Sequence, residues 1–259
     1  MYCIIIPVLL PVTANFILPG NHTYAKQLSA HIELFLDEEI YFYNYFVMIL
    51  ITCYTAQVLI SSWGIIYVSS AAYLVAKFRF MGFKLKQILI LSEGEDFLEK
   101  NDEIFKHVSQ LVQLHQYCIN YCDVLNSITS RMFGLGTLHT IMAFVISGYV
   151  IVMEYERDKN LALKMFFVYI LCSEFLLVTS HPSQMIFNSS GDIFETCYST
   201  DWYKYSIKTR KMIHLILIRS SRPSCMKIGP SKYSNYETSG QLIRLSLSYI
   251  VSLMSINEQ

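Results

Sequence analysis

The sequence predicts an all-α protein of the polytopic membrane class, a bundle of about five membrane-spanning helices. Of its 259 residues, 53% are apolar and only 15% are charged, and the mean hydropathy is positive. Soluble globular chains carry about 25% charged residues, so this composition indicates a membrane protein. Several uncharged stretches are long enough to cross a hydrocarbon core of about 30 Å. The basic residues cluster between these stretches rather than within them.

The longest predicted span comprises residues 40–76, which contain no formal charge. At about 1.5 Å per residue a helix of this length reaches about 55 Å, so it must project beyond the bilayer. Aromatic residues from Tyr41 to Phe46 fit one membrane interface, and basic residues from Lys77 to Lys86 fit the cytosolic side. The helix therefore enters the membrane from outside.

Four further spans are predicted at residues 2–18, 132–153, 165–180 and 240–256. The last of these is weaker, because the apolar run within it is short for a full crossing. The first contains two prolines, which a membrane bundle tolerates. A secretory signal is an alternative for residues 2–18, since Val12-Thr13-Ala14 has small residues placed like a cleavage site, but no basic residue precedes the apolar run.

The distribution of lysine and arginine predicts the orientation of these spans. Residues 77–131 and 181–244 hold 16 of the 20 basic residues, which favours a cytosolic position for both regions. Five crossings then place the N-terminus inside the cell and the C-terminus outside. Asn21, in the sequon Asn21-His22-Thr23, falls in a predicted external loop and is a candidate glycosylation site. The sequon at Asn188 falls in a predicted cytosolic region and should stay unmodified.

Two polar features within the helices admit alternative interpretations. His115, Cys118 and Cys122 share one helix face, a spacing compatible with soft-metal ligation, but ordinary helix packing is the favoured interpretation and no metal is assigned. Glu174 lies inside a predicted span, where an acid either faces a functional cavity or is hydrated near the cytosolic mouth.

The sequence contains neither a Gly-rich phosphate loop nor a G-x-S-x-G nucleophile motif, and no span carries paired histidines. We therefore expect no enzymatic activity and no cofactor. The 20 basic and 20 acidic residues cancel, so nothing predicts a nucleic-acid partner. The seven cysteines lie in apolar or predicted cytosolic segments, which predicts free thiols.

The last third of the chain carries the most specific motifs, and two earlier stretches accompany them. The motifs are Tyr198-Ser199-Thr200-Asp201-Trp202-Tyr203, Lys208-Thr209-Arg210-Lys211, Arg219-Ser220-Ser221-Arg222-Pro223, Gly229 and Ser248-Tyr249, preceded by Asp37-Glu38-Glu39-Ile40-Tyr41-Phe42-Tyr43 and Leu111-Val112-Gln113-Leu114-His115. In order and spacing this series resembles the insect odorant receptor family, over nearly the whole chain.

This resemblance implies a protein of seven spans with a cytosolic N-terminus and an extracellular C-terminus. The five spans here would be the third to the seventh, so the sequence is expected to lack the first part of the transmembrane domain. The family implies an odorant-specific subunit that assembles with the olfactory co-receptor into a hetero-tetrameric, odorant-gated, non-selective cation channel. It would reside in the plasma membrane of olfactory sensory neurons and bind a volatile small molecule. Residues 181–239 would form a cytosolic anchor between subunits.

Candidate site residues follow from depth in the membrane and from the family pattern. The odorant-binding candidates are Ile49, Thr52, Cys53, Ala56, Ser147 and Ile151. The last span would line the pore, with gate candidates at Ser252, Ser255 and Ile256. Ser252 departs from the aliphatic residue common in the family, which weakens the expectation of a dewetting barrier there. The alternative functions are a gustatory-type chemoreceptor and a multi-span transporter.

Overall fold

The computed structural model describes residues 38–92, 101–230 and 232–257. These residues form the α-helices α1 (Glu38–Ser92), α2 (Asn101–Glu154), α3 (Lys159–Tyr198), α4 (Ile207–Ser220) and α5 (Tyr236–Asn257). A 3-10 turn, Trp202–Lys204, precedes α4, and a short antiparallel hairpin of β1 (Lys227–Ile228) and β2 (Lys232–Tyr233) precedes α5. The prediction of an all-α bundle is confirmed. The predicted span 2–18 and the sequon at Asn21 lie outside the described residues.

The first three helices extend well beyond the spans predicted within them. Among the described residues, three helical stretches are long and apolar enough to cross a membrane, namely Tyr41–Ile88, Asn101–Glu154 and Lys159–Tyr198. Hydropathy falls where a helix leaves the membrane, but the helix itself continues because leucine, lysine and glutamine favour it. The shorter, serine-rich α5 contains residues 240–256, which stay a predicted crossing.

The chain divides into two compact units, residues 1–66 and 67–259. In the first unit, the described residues belong to α1, whose backbone departs from helical angles at Tyr41. Large apolar side chains are exposed on several sides of this helix, as at Val47, Met48, Leu59 and Ile60. A helix that is apolar all round is typical of a membrane environment rather than of water.

The second unit has one buried core, to which every helix from α1 to α4 contributes. On α1 the buried residues recur every three or four positions, at Tyr67, Ala71, Leu74, Phe78, Met81 and Leu85. On α2 they recur in the same way at Ile104, Val108, Leu111, Cys118 and Cys122. The α2 series and the second half of the α1 series lie in a stretch whose charges predict a cytosolic position. This core is therefore built largely outside the predicted spans.

Contacts around Tyr67 show which parts of α1, α2 and α3 pack side by side in the second unit. The Tyr67 ring packs edge-on against the Phe133 ring of α2, with centroids 4.7 Å apart. Its hydroxyl donates a hydrogen bond to the Thr179 carbonyl of α3 at 3.0 Å. Phe133 lies at the start of the predicted span 132–153, and Thr179 lies near the end of the predicted span 165–180. The part of α1 after Tyr67 therefore packs beside residues of α2 and α3 that lie outside these two spans. Accordingly Phe78 meets His115, with ring centroids 6.4 Å apart.

The hairpin approaches α2 closely through two glycines. Gly229 has a φ of +62°, a conformation that residues with a Cβ rarely adopt. Its amide donates to the Ser130 carbonyl at 2.9 Å. A Cβ on Gly134 would lie 3.2 Å from the Gly229 Cα, so a larger residue at position 134 requires a shift, whereas at Gly229 the positive φ rather than a lack of space disfavours a side chain.

Candidate ligand-binding and pore-lining residues

The four candidates on α1 belong to the first unit. Ile49 and Cys53 are half-buried, whereas Thr52 and Ala56 are exposed. The Thr52 hydroxyl donates to the Met48 carbonyl at 2.8 Å, so its polar group is satisfied within the helix. Exposed positions of this kind can contact a ligand, lipid or another helix.

Ser147 and Ile151 belong to the second unit, on α2. Ser147 is 1% exposed, and its hydroxyl lies 3.2 Å from the Phe144 carbonyl, to which it donates. Ile151 is half-buried one turn further along. Because the six odorant-binding candidates fall in two units, their assembly into one pocket stays a prediction.

The neighbourhood of Ser147 is a close helix crossing. The Phe144 ring packs on the Tyr169 ring of α3, with centroids 4.0 Å apart. A Cβ on Gly148 would collide with the end of the Ile250 side chain of α5. The absent side chain at Gly148 therefore lets α5 pack closely against α2.

The helix α5 has a buried face and an exposed face, and serine occurs on both. Ser239, Leu242, Ser246 and Ile250 are buried at helical spacing. The exposed face carries the serine stripe, which we define as Ser248, Ser252 and Ser255, with Ile256 beside it. The Ser252 hydroxyl donates to the Ser248 carbonyl and the Ser255 hydroxyl to the Ser252 carbonyl, both at 2.9 Å. All three gate candidates thus lie on the exposed face.

Two clefts lie in the second unit, away from these candidates. One of about 530 Å³ is mostly apolar and is lined by Phe80, Lys84, Leu111 and Leu114, among others. The other, of about 730 Å³, is more polar and includes Arg79, Asp192 and Glu195. Neither cleft includes any odorant-binding or gate candidate.

The possible metal ligands on α2 lie in the core of the second unit. His115, Cys118 and Cys122 are all buried, and His115 packs edge-on against Phe78. Burial, with a smaller contribution from the Arg219 charge, lowers the pKa of His115 to about 4. Within the three described stretches, no three His, Cys, Asp or Glu side chains are placed to hold a metal ion together. Glu174 is exposed on α3.

Two features that shape this region were not predicted from the sequence. The contact between Gly148 and Ile250 had a weak signal, a glycine inside an apolar span. The side-chain amide of the buried Asn126 forms hydrogen bonds with Cys225 and Lys227, in the segment before α5. No sequence pattern could have predicted these bonds, because the partners are about 100 positions away.

Comparison with known proteins decides the family. The sequence profile of the family described as 7tm Odorant receptor matches residues 1–243. The chain belongs to this odorant receptor family. Odorant receptor 22c of Drosophila melanogaster is 23% identical over 71% of the chain, and odorant receptor Or2 of Anopheles gambiae is 21% identical over 59%. The chain spans 48% and 40% of the lengths of these two relatives.

A solved structure supports the fold assignment. The insect olfactory receptor OR5 from Machilis hrabei, in complex with eugenol, superposes with a TM-score of 0.70 at 13% identity. The match covers 98% of the chain and 63% of that structure. The family match and the long apolar helices identify the chain as a membrane protein of a receptor family, rather than of an enzyme family. The family match favours the odorant receptor hypothesis over the gustatory-type and transporter alternatives.

Proposed function

We propose that this chain is part of an odorant-specific receptor subunit that opens a non-selective cation channel together with the olfactory co-receptor. It would act in the plasma membrane of olfactory sensory neurons and respond to a volatile small molecule. The family match to residues 1–243 supports the receptor role. The serine stripe of α5 is the single observation that best supports a channel.

The proposed pore is lined by the exposed face of α5. One face of this helix is buried against its own chain, which leaves Ser248, Ser252 and Ser255 free to face an aqueous path. Hydroxyl groups suit such a path because they interact with hydrated ions without a fixed charge. Ile256, 69% exposed, would supply an apolar constriction next to Ser255.

The proposed odorant site is formed by the outer halves of the spans. Ile49, Cys53 and Ala56 offer apolar contacts at helical spacing, and Thr52 offers a hydroxyl. On α2, Ser147 and Ile151 stay further odorant-binding candidates, within the second unit. An apolar pocket with few polar groups suits a volatile ligand, which gains most of its binding free energy from desolvation.

The proposed membrane topology keeps the five spans 2–18, 40–76, 132–153, 165–180 and 240–256, with residues 181–239 as a cytosolic anchor. Exposed apolar side chains on α4 support a contact with a neighbouring subunit in this region. Ile207, Leu215 and Ile218 are 65%, 60% and 59% exposed and follow one another at helical spacing. Outside lipid, such a surface favours a protein partner.

The experiment expresses the longest open reading frame that contains this sequence, with and without the co-receptor, in cells that lack other receptors. We expect an odorant-evoked cation current only when both proteins are present. Cells with the co-receptor alone are the control, and surface labelling confirms delivery. Silence across a broad odorant panel despite surface expression would contradict the proposal.

A further inference from the structure

Residues 224–227, which lead toward the last helix, form hydrogen bonds with side chains of other helices. Ser224, Cys225 and Met226 are buried between α4 and β1. Buried backbone N–H and C=O groups need partners, and in a sheet these come from a neighbouring strand. Here side chains of α2 and α3 supply a partner to each of residues 224–227.

From α2, the Asn126 side chain holds two backbone groups at once. Its Nδ2 donates to the Cys225 carbonyl at 3.0 Å, and its Oδ1 accepts from the Lys227 amide at 2.8 Å. Asn126 is only 8% exposed. Because the carboxamide is planar and both ends are engaged, it fixes the position of the segment along α2 as well as its distance from that helix.

From α3, two serine hydroxyls accept hydrogen bonds from the amides of Ser224 and Met226. The Ser190 hydroxyl accepts from the Ser224 amide at 2.9 Å, and the Ser183 hydroxyl accepts from the Met226 amide at 3.2 Å. The contacts of residues 224–227 therefore alternate between α3 and α2. The segment is bonded to both helices and cannot move with one alone without losing hydrogen bonds to the other.

The same segment sets the start of α5. The Met226 carbonyl accepts from the Ser234 amide at 2.8 Å, and the Ser234 hydroxyl donates to the Thr179 carbonyl at 3.1 Å. The helix begins two residues later, at Tyr236. A change in the position of residues 224–227 therefore reaches the first turn of α5 through one hydrogen bond and two residues.

We propose that Asn126 is a positioning residue that couples α2 to the last helix, through its paired hydrogen bonds to Cys225 and Lys227. The coupling to channel opening rests on the proposed function, since it requires α5 to line the pore. Asn126 contacts neither ligand nor permeating ion in this proposal. It sets how a displacement of α2 reaches the pore helix.

The first test measures hydrogen–deuterium exchange in the purified full-length receptor with its co-receptor. Asn126→Ala is expected to speed exchange of the amides in residues 224–240 on the order of tenfold, because the amide of Lys227 loses its acceptor. Asn120→Ala is the matched control, since Asn120 is exposed on the same helix and its carboxamide accepts from Gln116. Unchanged exchange in Asn126→Ala would overturn the positioning role.

The second test measures odorant-evoked current per receptor at the cell surface. Asn126→Ala is expected to shift the half-maximal odorant concentration roughly 2- to 30-fold, the range of mutational effects on coupling between sites, with Asn120→Ala unchanged. A purely structural role would lower only the amount at the surface. Faster exchange without a shift in the half-maximal concentration would overturn the coupling.

Two further variants keep the proposal falsifiable if Asn126→Ala does not fold. Asn126→Asp retains an acceptor for the Lys227 amide but cannot donate to the Cys225 carbonyl, and Ser183→Ala removes one contact from α3. Both are expected to show smaller changes in the same direction. Absence of any current from the unmodified receptor would contradict the proposed function, while the exchange measurement would still decide whether Asn126 positions the segment.

Discussion

Gly148 controls the approach of α5 to α2 through the absence of a side chain. We expect Gly148→Leu to destabilise the protein by about 1–3 kcal/mol, because the new side chain overlaps Ile250 in a packed interface. Thermal unfolding of the purified receptor, followed by fluorescence-detected size exclusion, measures this loss.

Two comparisons make the Gly148 prediction specific. Ile250→Ala in the same chain should restore part of the stability, because it removes the atoms that collide. Gly82→Ala should cost nothing, since no atom lies within 4 Å of the added Cβ. Equal stability of Gly148→Leu and the unmodified receptor would contradict the tight crossing.

The buried His115 predicts a pH dependence of stability. Its folded-state pKa is lowered from 6.5 to about 4, first by burial and then by Arg219, so the unfolded chain binds more protons between these values. The stability that the neutral His115 contributes is therefore fully present above about pH 6.5 and is lost as the pH falls toward about 4. The loss should be on the order of 1–3 kcal/mol.

Thermal unfolding at about pH 7.5 and about pH 5, where free histidine is mostly neutral and mostly charged, tests this prediction. His115→Gln should show a weaker pH dependence than the unmodified receptor, because glutamine does not titrate. His214→Gln, at an exposed position of α4, is the control and should leave the dependence unchanged. An equal pH dependence in His115→Gln would show that other groups cause it.

The two faces of α5 predict different accessibility to water-soluble reagents. In the full-length channel, Ser252→Cys and Ser255→Cys should react with a charged methanethiosulfonate and lose most of their current, because both positions are exposed. Ser246→Cys, 2% exposed on the opposite face of the same helix, is the matched control and should keep its current. Block at Ser246 but not at Ser252 would contradict the proposed pore face.

The sequence predicted the helical class and the apolar stretches, because hydropathy reports directly on the membrane. It did not predict how far the helices continue. The charged residues from Lys77 onward end the apolar run but not α1, and α3 continues through Pro182 to Tyr198. The family pattern named Ser252, Ser255 and Ile256 as gate candidates, but it could not predict which side of α5 is buried, because that depends on contacts with α2 that are distant in the chain.

At the scale of the whole molecule, the distribution of basic residues predicts the orientation in the membrane. In the full-length protein, an epitope tag after Gln259 should be accessible to antibody on intact cells, because the C-terminus is predicted outside. A tag within residues 93–100, in a predicted cytosolic region, is the control and should require permeabilisation. The reverse pattern would overturn the proposed topology.

Glycosylation gives an independent measurement of the same orientation. Treatment with a glycosidase should reduce the apparent mass of the full-length protein, and Asn21→Gln should abolish this change if Asn21 is the modified site. Asn188→Gln should have no effect, since its sequon lies on α3 in the predicted cytosolic region. Loss of the mass change in Asn188→Gln would contradict the predicted sidedness.

The exposed face of α4 predicts how subunits associate. Leu215→Asp should reduce co-purification with the co-receptor several-fold, because a charge replaces an exposed apolar group in the proposed interface. Leu215→Met retains an apolar side chain and should co-purify normally. Normal co-purification of Leu215→Asp would place the subunit interface elsewhere.

The position of the buried core in the second unit has a consequence for divergence within such a receptor family. Residues such as Leu74, Phe78, Val108, Ile186 and Ile216 lie together in this core, which includes none of the candidates for ligand contact. Under the proposed topology, new ligand preferences can therefore arise by substitution near the outer membrane surface while folding continues to depend on an unchanged buried core. We expect gene duplicates to retain these inner residues longest while their ligands diverge.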